Sequence, residues 1–197
     1  MNKLILAVGK VLQKKGYAGL TIGNISTEAE VDKKLIYLYF GNVNNLIETF
    51  LKQRDFWNIA EKGVVDEILQ NPDELGKEAV SKLLQSQYNR FYKDKLFQKY
   101  IHWELGEKTE LLRDIANTRA EIGEKLFERI EKDFLVEDID LRSILALQMA
   151  GISYLVLHAK TNGSPFCGLD INKSDDKERV NKSIDYLVNL LYKQVNK

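Results

Sequence analysis

The sequence predicts an all-α fold, and three observations carry that expectation. Only 2 of the 197 residues are proline and 12 are glycine, so few positions break a helix. Apolar residues recur every three or four positions along most of the chain rather than alternating. Strong helix formers, chiefly leucine, lysine, glutamate and alanine, dominate the composition. With 44% hydrophobic and 29% charged residues, the chain can bury one good core or two small ones and keep a soluble surface.

The elements follow in order, about nine helices in all. Leu4, Val8, Val11 and Leu12 share a face over residues 3–15, and Gly16 supplies the left-handed stop. Thr21 is placed to cap a short helix whose Ile22, Ile25 and Ala29 face one way. Asp32 caps the next, which runs through Tyr39 with Ile36 and Phe40 turned inward. Asn42 opens a longer helix carrying Leu46, Ile47, Phe50, Leu51, Trp57, Val64 and Ile68, stopped at Asn71-Pro72. Further helices are expected at about 73–91, 94–105, 108–132, 139–160 and 176–195. The last two flank one long loop, Thr161 to Asp176, rich in Gly, Asn, Asp and Ser.

Net charge is zero, but residues 1–50 hold six lysines against four acidic residues, a local excess of +2. A single cysteine, Cys167, excludes an intramolecular disulfide and fits a reducing cytoplasm. Leu4 to Val8 is too short for a secretory leader. Ser143 to Ala159, the longest uncharged run, falls short of the roughly 20 residues of a membrane span and reads as a buried or interface helix.

Helix, tight turn, helix over residues 21–40 is the geometry that sets a second helix into the DNA major groove. Lys33, Lys34, Leu35, Tyr37, Leu38 and Tyr39 face outward on that helix. Lysines reach phosphates or guanine acceptors, tyrosine hydroxyls reach phosphate oxygens, and Leu35 and Leu38 suit thymine methyls, so T-rich contacts are expected. No arginine precedes Arg54, which removes the commonest guanine contact.

Ala7, Gly16-Tyr17, Thr21, Ile25, Ala29, Val31, Ile36-Tyr37, Tyr39-Phe40 and Leu46 are spaced as in a known pattern. Through them residues 4–50 resemble the DNA-binding domain of the tetracycline-repressor (TetR) family of transcriptional regulators. The resemblance implies that Thr21 meets a phosphate, Lys33 faces the bases, and Tyr37 and Tyr39 clamp the backbone. It implies a cytoplasmic homodimer, most often a repressor, released from a palindromic operator by a small-molecule effector. Residues 1–45 would be the helix-turn-helix domain and 46–197 the effector and dimerisation domain. Glu30 stands where the family places a turn glycine, Lys34 where it places a small residue, and Val43 where it places a phosphate-gripping lysine. Those departures leave a second reading, a helical small-molecule-binding protein with a degenerate DNA-binding unit.

For the effector site the aromatic residues Tyr88, Tyr92, Tyr100, Trp103, Phe127 and Tyr154, with His102, are candidate lining. For dimerisation, Leu147, Ala150, Gly151 and Tyr154 form one small-residue face, and Ile184, Leu187, Val188 and Leu191 a stripe that is either core or seam. His102-Trp103-Glu104 has the spacing of zinc deaminases without the two cysteines they need. Neither histidine has a glutamate three residues before it, and phosphate loops and nucleophile elbows are missing from the sequence. No catalytic residue, metal or cofactor is therefore expected.

Overall fold

A computed structural model describes residues 1–53, 76–131, 134 and 140–195. The expected features at Trp57, Val64, Ile68 and Asn71-Pro72 lie outside the described residues. Those described form two compact units, one of residues 1–53 with 94–118, the other of 76–93 with 119–195. The first takes in more of the chain than residues 1–45.

In the first unit, α1 (Asn2–Lys15) buries Leu4, Ile5, Ala7, Val8, Val11 and Leu12. It ends at Gly16, whose φ of 68° lets its N–H return to the Leu12 carbonyl. One 3-10 turn later, α2 (Ile22–Ala29) starts from the extended Thr21, whose Oγ1 accepts from the Asn24 N–H at 3.2 Å. Lys14 donates to Glu28 at 2.8 Å across α1 and α2, and that contact first, aided by Lys10 and Lys15, holds the Glu28 carboxyl below its usual value. The pair lies at the surface, so it contributes little to stability.

The turn after α2 closes with the Val31 N–H on the Ser26 carbonyl, and Glu30 occupies its left-handed position at φ 54°, ψ 46°. α3 (Lys34–Phe40) follows, its first turn held by the Asp32 carboxylate accepting from the Lys34 N–H at 2.8 Å. Asn42 then accepts from the Asn45 N–H at 2.9 Å to open α4 (Val43–Gln53), which buries Leu46, Ile47, Phe50 and Leu51. The four N-terminal helix boundaries thus fall where the capping residues set them.

Gly9 is a point of close approach. A Cβ there would stand 2.9 Å from the Phe50 ring of α4, so only hydrogen fits without a shift.

Outside the first unit lies α5 (Lys77–Lys93). α6 (Lys95–Gly106) belongs to the first unit and packs on α1, with Asp94 accepting from the Leu96 and Phe97 N–H groups. It buries Leu96, Phe97, Tyr100 and Trp103. The boundary between units falls within α7 (Glu110–Ile130), started by Thr109 accepting from the Leu112 N–H.

The second unit adds α8 (Leu141–Thr161) and α9 (Ser174–Val195). Ser81 donates to Asp185 at 2.7 Å, and Gln85 and Asn89 reach Asn181, so the polar edge of α5 is matched to α9. Arg142 at the start of α8 binds Glu124 and Glu131 of α7 and lies 5.3 Å above the Phe127 ring. Between α8 and α9, Phe166 and Leu169 exchange two 2.9 Å backbone hydrogen bonds around Cys167 and Gly168, both at positive φ. Two successive positive-φ residues are what a tight primed turn requires.

Candidate nucleic-acid interface

α3 presents the exposed surface that the sequence predicts. Ile36 is its buried member, and this single anchor turns Tyr37, Leu38 and Tyr39 outward, 55%, 71% and 48% exposed. Lys33 and Lys34 are exposed beside them. Lys34 lies 3.6 Å from the Asp32 carboxylate, whereas Lys33 has no acidic partner among the described residues. The backbone bond from Lys34, more than the lysine's charge, keeps the Asp32 carboxyl below its ordinary value.

Leu35 departs from the expectation of two outward leucines. It is half-buried, because the turn that carries Ile36 inward brings its neighbour part of the way. Leu38 alone is the apolar group fully available to a thymine methyl. Thr21 is exposed and spends one oxygen lone pair on its cap, which leaves the hydroxyl proton free to meet a phosphate. Val43 is half-buried at the start of α4.

Sequence reasoning missed a contact behind this surface. Tyr17, in the turn between α1 and α2, stacks on Trp103 of α6 at 6.1 Å and 4°, and its hydroxyl donates to the Glu107 carboxylate. That hydrogen bond, and then the charge of Glu107, raises the Tyr17 hydroxyl above its usual value. Ninety positions separate the two residues, and no local pattern could have paired them.

The effector candidates divide between the units. Tyr100 and Trp103 are buried in the first, Trp103 against Tyr17. His102 is exposed, since its place on α6 lies off the face holding Tyr100 and Trp103. In the second unit Tyr88 is fully buried, Phe127 is half-buried under Arg142, and Tyr92 is half-buried with Lys160 and Lys177 at 3.6 and 4.4 Å from its ring centre. Tyr154 is 52% exposed and packs on His158 and Phe166, so it belongs to an outer face of α8 rather than to an interior lining.

The dimerisation candidates also separate. Leu147, Ala150, Gly151 and Tyr154 form an exposed stripe on α8. Ile184, Val188 and Leu191 do not share that exposure. They are buried within their own unit, because the α9 stripe is wide enough to have an inner and an outer half. The outer half is Tyr186, Leu187 and Leu190. α8 is long and apolar enough to cross a membrane by length and composition alone, a test that a core or interface helix also passes. Among the described residues no group of three or more His, Cys, Asp and Glu could hold a metal ion.

Residues 5–49 match the family model for bacterial regulatory proteins of the tetR family. No curated protein matches the chain. Among solved structures, the chain is similar over 95% of its length to 96% of the fatty acid degradation regulator FadR from Bacillus halodurans, with 19% identity and a TM-score of 0.64. It is similar over the same shares to the transcriptional regulator FadR from Bacillus subtilis in complex with stearoyl-CoA, with 18% identity and a TM-score of 0.65. The multidrug binding protein EbrR complexed with ethidium is matched over 96% of both chains, with 19% identity and a TM-score of 0.57. These likenesses extend the shared fold beyond the N-terminal helices.

Proposed function

We propose that the chain, whose residues 5–49 match the family model for bacterial regulatory proteins of the tetR family, is a ligand-responsive transcriptional regulator and a repressor. It binds a palindromic operator as a homodimer in the cytoplasm, and it is a regulator rather than an enzyme. The observation that carries this reading is α3 itself, a short helix with one buried anchor and an outer surface of two lysines, two tyrosines and a leucine. Exposed large apolar groups are costly on a surface with nothing to meet. A major groove supplies phosphates for the lysines and tyrosines and methyl groups for Leu38.

In this reading Lys33 reads bases, Thr21, Tyr37 and Tyr39 hold phosphates, and Lys34 supplies the charge that Val43 does not. Half-sites lie about one helical turn apart, roughly 34 to 36 Å. The α8 stripe is the dimer seam. Gly151 supports this, since a glycine inside a helix costs about 1 kcal/mol relative to alanine and a Cβ there would meet nothing within 4 Å. Among the described residues nothing packs against the Gly151 position, and a second helix pressed close would make use of its smallness.

The neighbours' complexes with stearoyl-CoA and ethidium support an effector with a large apolar body. To reverse a 99:1 population the effector must prefer the released state by about 5.5 kcal/mol. Selection of bound fragments from random DNA, followed by salt titration of the wild type, Lys33→Ala and Tyr37→Ala, tests the DNA role. Each variant should bind more weakly, and unchanged affinity in both would remove α3 from the interface. Stearoyl-CoA and ethidium are the first probes for release of the selected fragment.

A further inference from the structure

We propose that Tyr88 and Gln148 are the polar anchors of a buried effector site in the second unit. The group they hold is uncharged, a carbonyl, carboxamide or hydroxyl on an otherwise apolar ligand. The inference rests on the effector reading above and names the chemistry of that site.

Tyr88 has no exposed surface, yet among the described residues its hydroxyl has no hydrogen-bond partner, and both polar atoms of the Gln148 carboxamide are buried without one. Buried polar atoms are nearly always paired, so each orphan asks what it serves. Packing does not call for either. Tyr88 sits between Leu84 and Phe91 on the buried face of α5, where phenylalanine would fill the same space. Gln148 interrupts the inward stripe Leu145, Ile152 and Val156 of α8, and α5 and α8 pack on each other. The contrast with the rest of α5 is informative. Ser81, Gln85 and Asn89 all find partners on α9, so this helix pairs its polar groups where structure alone requires them.

The surroundings fix the sign of the ligand. Burial first, and then neighbouring Tyr92, push the Tyr88 hydroxyl up to about 12, and a nearby cation would act in the opposite direction. Lys160 and Lys177 rest against the ring of Tyr92 instead, and Lys160 donates to Asn172. Among the described residues no cation is hydrogen-bonded to the Tyr88 hydroxyl, and burying an anion there costs far more than burying a neutral dipole that accepts from the hydroxyl and pairs with the carboxamide.

Decanamide, 1-decanol and decanoate at pH 8 are the probes, with binding to the full chain measured by calorimetry and thermal shift. Decanamide and decanol should bind, and decanoate about tenfold or more weakly. Tyr88→Phe should melt at the same or a higher temperature without ligand, since it removes an unpaired buried hydroxyl, and should lose about fivefold or more in decanamide affinity. Gln148→Met, of similar size, should lose a similar factor and keeps the test open if one variant misfolds. Decanoate binding as tightly as decanamide, Tyr88→Phe melting lower, or both variants binding decanamide as the wild type does would overturn the inference and leave the effector reading standing. Failure of all three probes, together with stearoyl-CoA and ethidium, would overturn both.

Discussion

Glu30 shows how one residue can carry a cost for the whole helix-turn-helix unit. It holds the left-handed position of the turn between α2 and α3, where a Cβ crowds the following carbonyl. Glu30→Gly should raise unfolding stability by about 1 kcal/mol, read as a higher denaturant midpoint, whereas Glu30→Ala keeps the Cβ and should gain almost nothing. The sequence could flag this position only as a departure from a family pattern; its backbone angles supply the physical reason. Asp140 carries a different residue-scale consequence. Its carboxyl is held below the usual value by the Ser143 hydroxyl first and the Ser143 N–H second. Folding therefore favours its charged form, whose stabilisation is present above about pH 4 and is lost as pH falls through the lowered value of the folded state. Asp140→Asn keeps a capping acceptor but has no proton to take up, so its melting temperature should fall less steeply than the wild type's between about pH 4 and pH 2.

At the scale of elements, α2 and α3 depend on short polar side chains rather than on length. Eight and seven residues are too few for a helix to persist by its own propensity, so caps and the burial of Ile25 and Ile36 must hold them. Thr21→Ala should cost about 1 kcal/mol and Thr21→Ser little, measured by equilibrium unfolding. This dependence is why these elements were legible in the sequence. Gly16, Thr21, Asp32 and Asn42 act on backbone groups within four residues of themselves, and local chemistry of that kind is written in order along the chain. The α9 stripe was legible as apolar but not as two halves, because periodicity shows that a face is buried and not what buries it. Val188 meets its own unit while Leu187, one residue away, remains exposed. The Gln148 anchor was hidden for a related reason, since one polar residue in an apolar stripe looks like any tolerated interruption until its lack of a partner is seen.

At the scale of the molecule, the α8 stripe makes self-association testable. Ala150→Glu would place a charge on each side of a two-fold seam, and Leu147→Glu would do the same about one turn away. Either should convert a dimer to a monomer in sedimentation at micromolar concentration and weaken operator binding, while the far-ultraviolet circular dichroism stays that of the wild type. A monomeric wild type would count against the seam. The first unit has a further consequence of its own. Its early helices rest on α6, through Gly9, Phe50 and Leu96 and through the stack of Tyr17 on Trp103, yet 34 residues of the other unit, 60–93, lie between them in the chain. During synthesis, α1 to α4 must leave the ribosome and wait for residues near 107 before that side is covered. The first unit therefore completes its folding late, from contacts distant in sequence, although its early helices are the first to be made.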